Sequence, residues 1–159
     1  DVYKRQPYTR EASIPRRTET LASQAQASVS IPYGGYGLND RFEPRNSADK
    51  SMQFHNWWQC FGTEEWAQYE WDQPMTLTEA SVYWLELGHY DIDFQLPVSW
   101  RLEYKAGEKW LSVKNTDPYE IAKDKYCTVH FQPVRTKALR LTAQLQEGKS
   151  AGILEWKVR

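Results

Sequence analysis

SWRLEYKAGEKW, residues 99–110, decides the fold. Trp100, Leu102 and Tyr104 alternate with Ser99, Arg101 and Glu103. A period of two buries one set and turns the other to solvent, which describes a half-buried β-strand. Lys105-Ala106-Gly107-Glu108 then predicts a hairpin, with glycine at the turn. The same alternation recurs on both sides. It runs through Val29 and Ile31, through Ala80, Val82 and Trp84, and through Cys127, Val129 and Phe131. It continues in Leu139, Leu141, Ala143 and Leu145, and in Leu154, Trp156 and Val158. Asp117-Pro118 breaks the pattern, and Gln146-Glu147-Gly148-Lys149 predicts a second hairpin. Short strands at such spacing indicate an all-β sandwich or barrel.

The totals narrow the function. A formal net charge of −1 over 159 residues provides no basic field for nucleic acid. No apolar run reaches the length of a membrane span or a signal peptide. Eight Trp and ten Tyr exceed what surface stacking needs, so most of them are expected in the core. Cys60 and Cys127 are too few for a disulfide scaffold, and the alternation around Cys127 makes it a small core residue.

Residues 1–6, DVYKRQ, read as the translation of a sequencing adapter on a metagenomic fragment. Residues 7–26 are polar and aperiodic, a linker or the edge of something upstream. The domain is expected over 27–159.

One stretch has no period: Tyr33–Trp58, YGGYGLNDRFEPRNSADKSMQFHNWW. Loops longer than ~12–15 residues in compact domains are usually functional or disordered. Phe54, Trp57 and Trp58 anchor this one, and one of the two Trp is expected to enter the core. Its oxygen-rich run (Asn39, Asp40, Glu43, Asn46, Ser47, Asp49) suits a structural cation on one rim of the sandwich.

Further segments complete an ordered set. They are Glu65-Trp66-Ala67-Gln68-Tyr69-Glu70-Trp71, the strand Ala80–Trp84, Pro97–Tyr104, Gly107 with Trp110, and Ala151–Val158. Together with Leu38-Asn39-Asp40 this set resembles the discoidin-like, coagulation factor V/VIII type C domains and their bacterial relatives, carbohydrate-binding module family 32. The run ASVSIPYGGYGLNDRFEP is further similar to the C-terminal appendage of bacterial β-L-arabinofuranosidase-type glycoside hydrolases (family 127 and relatives). The resemblance implies an eight-stranded antiparallel jelly-roll β-sandwich. It also implies a periplasmic or extracellular location and a structural Ca²⁺. The matching cation positions are Asp40 and Glu155 by carboxylate and Leu38 or Asn39 by carbonyl or side chain, with the Leu154 carbonyl a weaker candidate. Relatives often carry Asp-Gly where this chain has Asp40-Arg41. Glu155 lies opposite Leu154, Trp156 and Val158 by alternation, which points it away from the core.

A sugar needs a flat aromatic and a few polar groups. Three clusters offer them: Tyr33 and Tyr36 with Arg41; His55 and Asn56 with Phe61 near Glu64; and His89, Tyr90 and Asp91 at a loop tip. His89, Asp91 and Asp93 share a face without further ligands, too few for a transition metal. No nucleophile elbow, phosphate loop or zinc signature is present. The acidic pairs Glu64-Glu65 and Asp91/Asp93 are placed as solvated loop residues, not as a glycosidase dyad. The expected function is a non-catalytic carbohydrate-binding module. Its partners are a plant or microbial glycan and an upstream glycoside hydrolase domain of the same polypeptide, with no nucleic acid and no membrane. The alternatives are a structural accessory domain of that hydrolase and a discoidin-type adhesion domain.

Overall fold

The computed structural model describes residues 19–88 and 93–159. His89, Tyr90 and Asp91 lie outside the described residues, as do the adapter hexapeptide and residues 7–18 of the expected linker.

Two long strands build the fold. β3 (Glu64–Leu85) and β6 (Tyr126–Gln144) run antiparallel over nearly their whole lengths. Their register slips between Glu70 and Met75 and again between Leu77 and Glu79. Pro74 sits in the first gap and Pro133 faces the second. Proline has no N–H for the ladder, so both fall where pairing lapses and the strands bend. Each long strand therefore serves two layers. In the first layer, β1 (Gln26–Val29), the start of β3, the end of β6, β4 (Ser99–Ala106) and β5 (Lys109–Ser112) lie side by side. In the second, β2 (His55–Asn56), β7 (Gly152–Val158), the end of β3 and the start of β6 do. Among the described residues this is an antiparallel β-sandwich of seven strands, with two of them shared between the layers; the expectation was eight.

The core between the layers is aromatic. Tyr69 of the first layer stacks on Trp156 of the second, centroids 4.0 Å apart and 14° from parallel. The Tyr69 hydroxyl donates to the Trp156 carbonyl at 2.8 Å. Trp84 meets Trp100 edge-on at 5.7 Å. Trp57 is the indole that enters this core, while Trp58 packs against a second cluster outside the second layer. Cys127 is buried and Cys60 is partly buried; both are free thiols.

That second cluster corrects the alternation read for the last strand. The register of β7 against β3 slips at Tyr83/Trp84, so Ile153 and Trp156 both face the main core. Leu154 turns outward to Tyr83 and Leu85. Phe42, Met52 and Phe94 cover these residues. The long loop is thus not a rim but a flap folded across the outer face of the second layer. A reciprocal pair of polar contacts holds it there. The Ser47 amide donates to Asp124 Oδ1 and the Asp124 amide to Ser47 Oγ, both at 2.8 Å.

Gly107 takes a positive φ in the β4–β5 hairpin, as expected. Gln146–Lys149 is not a hairpin: β6 and β7 are never neighbours, and this turn carries the chain from one layer to the other. The assigned linker also ends earlier than expected. Leu21–Gln24 forms a short helix, α1, whose Thr20 and Ser23 make a reciprocal capping box at 2.8 and 2.9 Å. Ala22 enters the core, and the Leu21 carbonyl accepts the Trp71 indole N–H at 2.7 Å.

Candidate functional site

The flap delivers Asp40 to the middle of β7. Glu155 there is 2 % exposed. Its Oε2 accepts the Arg41 amide at 3.1 Å, and Asp40 Oδ1 accepts the Phe42 amide at 3.1 Å. The remaining oxygens, Asp40 Oδ2 and Glu155 Oε1, are buried and have no partner beyond the pair itself, whose two carboxyls lie within hydrogen-bond reach of each other. Burial pushes the Glu155 carboxyl well above the usual carboxylate range, and the charge of Asp40 adds to the shift. Burial raises Asp40 as well. Two acids that resist ionisation side by side share a proton between them, or offer the same oxygens to a hard cation in its place.

The neighbouring positions divide. The Leu38 carbonyl already accepts the Trp156 amide at 2.8 Å, leaving one lone pair. Asn39 spends its amide nitrogen on the carbonyls of Ala22 and Ala25, at 2.7 and 3.1 Å, which holds α1 against the flap. Leu154 packs outward in the second cluster. Arg41 has φ 69°, the left-handed region that glycine favours. Among the described residues no group of three or more His, Cys, Asp or Glu lies within reach of one ion, so backbone oxygens have to complete any shell here.

The proposed sugar contacts separate as well. All the long connections leave the same end of the sandwich, where β3 begins and ends and β7 starts. Tyr33 is 61 % and Tyr36 64 % exposed, and Phe61 is exposed at the same end. Arg41 lines a cavity of about 440 Å³ between α1, the flap and β7. His55, expected at the surface, is buried at 1 %. Its Nδ1 accepts the Gly35 amide at 2.8 Å, its ring meets Trp57 edge-on at 4.7 Å, and burial lowers it to about 3. It is a neutral support under the Gly34-Gly35 turn, not a ligand group. Asn56 uses its Oδ1 locally, accepting the Trp58 amide at 3.1 Å. Asp93 is engaged by Gln95 and Lys149. The salt bridge from Arg101 to Glu64, 2.8 Å, ties up the acid that was to accompany Phe61.

Solved structures share this arrangement. A chain from the β-galactosidase of Streptococcus pneumoniae superposes with a TM-score of 0.68 at 17 % identity, covering 89 % of this chain and 93 % of that one. The fold is the discoidin-like β-sandwich. A family 32 carbohydrate-binding module from a family 31 glycoside hydrolase of Clostridium perfringens gives 0.57 at 16 % identity, over 86 % and 90 % of the two chains. A putative α-L-fucosidase from Bacteroides thetaiotaomicron gives 0.59 at 14 % identity. This discoidin-like sandwich covers 98 % of itself there but only 29 % of that longer chain. No protein-family profile matches the sequence.

The sequence reasoning missed three features: α1, the Ser47–Asp124 clamp, and an aromatic stack on the outer face of the first layer. The stack had a signal, because Trp66 and Trp110 fall on the solvent side of otherwise alternating strands.

Proposed function

We infer that this chain is a non-catalytic carbohydrate-binding module, borne by a secreted or periplasmic glycoside hydrolase of the β-L-arabinofuranosidase type. The observation that carries the reading is the pair of exposed tyrosines, Tyr33 and Tyr36, held at the loop end of a discoidin-like sandwich. A rigid phenol ring at a loop end gives the flat surface on which a sugar's C–H face stacks. Chains with this fold include a chitosan-binding module from Paenibacillus and a pectin-binding module, which supports the ligand class. A module of this kind raises the local concentration of substrate around the attached catalytic domain.

In this reading a Ca²⁺ ion belongs between Asp40 and Glu155. It would neutralise the two carboxylates and occupy their remaining oxygens, with carbonyls near Leu38 and Asn39 completing the shell. Its role is structural, pinning the flap to β7. Affinity electrophoresis of the whole chain in gels cast with plant and microbial polysaccharides tests both parts. Retarded migration that weakens with chelator supports them. Unretarded migration in every gel removes the binding function and leaves an accessory domain that packs on the hydrolase.

A further inference from the structure

The outer face of the first layer carries a second built site. Cross-strand partners share a face, and the register sets Trp66 and Gln68 of β3 beside Thr142 and Arg140 of β6. Glu103 of β4 pairs with Arg140, and Trp110 of β5 with Lys105. Trp110 leans across β4. The Arg140 guanidinium carbon therefore lies 4.2 Å from the Trp66 ring centroid and 4.4 Å from that of Trp110. The guanidinium is fixed from below. Its Nε and Nη2 donate to Gln68 Oε1 at 2.9 and 2.7 Å, and Gln68, 6 % exposed, donates in turn to Glu70. Buried Gln68, itself anchored to Glu70, thus holds one cation between two half-buried indoles on the sheet.

The donors of this stack are left over. Among the described residues, Arg140 Nη1 and the indole N–H groups of Trp66 and Trp110 have no protein acceptor. Flat rings beside unpaired N–H donors match a ligand that is apolar on one side and rich in oxygen acceptors on its edge, as a pyranose or furanose is. The charges on the face balance: Arg101, Lys105 and Arg140 against Glu64, Glu70 and Glu103. Exposed aliphatic side chains, which a membrane or a protein partner would need, are missing from these positions.

We propose that the Trp66–Arg140–Trp110 stack is a second carbohydrate platform, which takes a neutral polysaccharide chain laid across the strands. It rests on the carbohydrate-binding reading but uses none of the loop-end residues. Trp66 lies two residues from the start of β3, so a chain held at the loop end can run on to this face.

The test is a titration of the ¹⁵N-labelled full chain with arabinan, β-1,4-galactan, xyloglucan and polygalacturonate, following the indole N–H signals. Trp110→Ala, Trp110→Phe and Arg140→Lys are titrated alongside. A neutral polysaccharide should shift the Trp66 and Trp110 signals. Trp110→Ala should bind it about tenfold more weakly or worse, the ~1.4 kcal/mol expected from losing one aromatic contact. Should Trp110→Ala fail to fold, Trp110→Phe and the wild-type shifts decide. Binding with shifts confined to the loop end, unchanged in the Trp110 variants, overturns the platform and leaves the module. Binding of polygalacturonate alone overturns the neutral chain. No binding by any of the four overturns platform and module together.

Discussion

Asp40 and Glu155 meet beneath the long flap, with Oδ2 of one and Oε1 of the other buried and given no partner outside the pair. They come from opposite ends of the chain, and their apposition fixes the flap to the last strand. Without a counter-charge it is costly, because burial and mutual repulsion oppose ionisation. Calcium should therefore raise the melting temperature. At a concentration about a hundred times Kd the gain is about 2.7 kcal/mol, roughly 5–10 °C for a chain of this size. Glu155→Gln should abolish that rise while melting no lower than wild type in chelator. Scanning calorimetry with calcium and with chelator checks both, and a calcium-dependent rise that survives Glu155→Gln would place the ion elsewhere.

Arg41 follows Asp40 in a glycine conformation, φ 69°. A left-handed non-glycine residue costs about 1–2 kcal/mol. Burial raises Asp40, and the Arg41 charge offsets only a small part of that, while it also repels a cation at the same place. Arg41→Gly is expected to tighten calcium binding and to leave thermal stability equal or higher. Calorimetric titration of calcium into both proteins is the check; weaker binding in the variant would show that Arg41 organises the loop.

His55 gives the chain an acid-sensitive point. Its folded pKa is lowered to about 3 by burial, against an ordinary 6.5. The folded state therefore refuses a proton that the unfolded state accepts. The contribution is complete above pH 6.5 and falls as the pH drops toward 3, by about 1.4 kcal/mol per unit. His55→Asn keeps an acceptor for the Gly35 amide and removes the titration, so its stability should fall less steeply between pH 6.5 and 4. Urea melts across that range measure the slopes. Gly34→Ala should destabilise at any pH, since its Cβ would stand 2.8 Å from His55 Nδ1 at a backbone φ of +120°.

The sandwich was legible because its strands alternate cleanly. Trp100 with Leu102, and Cys127 with Val129, face the core as the period demands. The layer arrangement was not legible, because it depends on where two long strands bend. Pro74 and Pro133 mark the places, but a proline in sequence does not say which layer follows. β7 misled for a related reason: a one-residue slip at Leu154 moves a side chain to the other face, and no residue type announces it. Asp40 and Glu155 lie side by side, a pairing that no local pattern in the sequence announces, whereas His55 was misplaced because a polar residue beside an aromatic loop reads as surface. Only the Gly34-Gly35 turn above it explains the burial.

Tyr33 and Tyr36 are more than half exposed, so Tyr33→Ala and Tyr36→Ala should alter stability by no more than about 0.5 kcal/mol. Any loss of sugar binding in these variants then reports contact and not unfolding. Parallel melts and binding isotherms separate the two, and a large drop in melting temperature would mean that the tyrosines pin the flap instead.

The claim that this chain binds carbohydrate is tested most directly by a glycan array probed with the full chain in calcium, beside Tyr36→Ala. The account predicts a restricted set of glycans bound by wild type and weakened in the variant at unchanged melting temperature. Silence across plant and microbial glycans, from a protein that melts cooperatively, would contradict it.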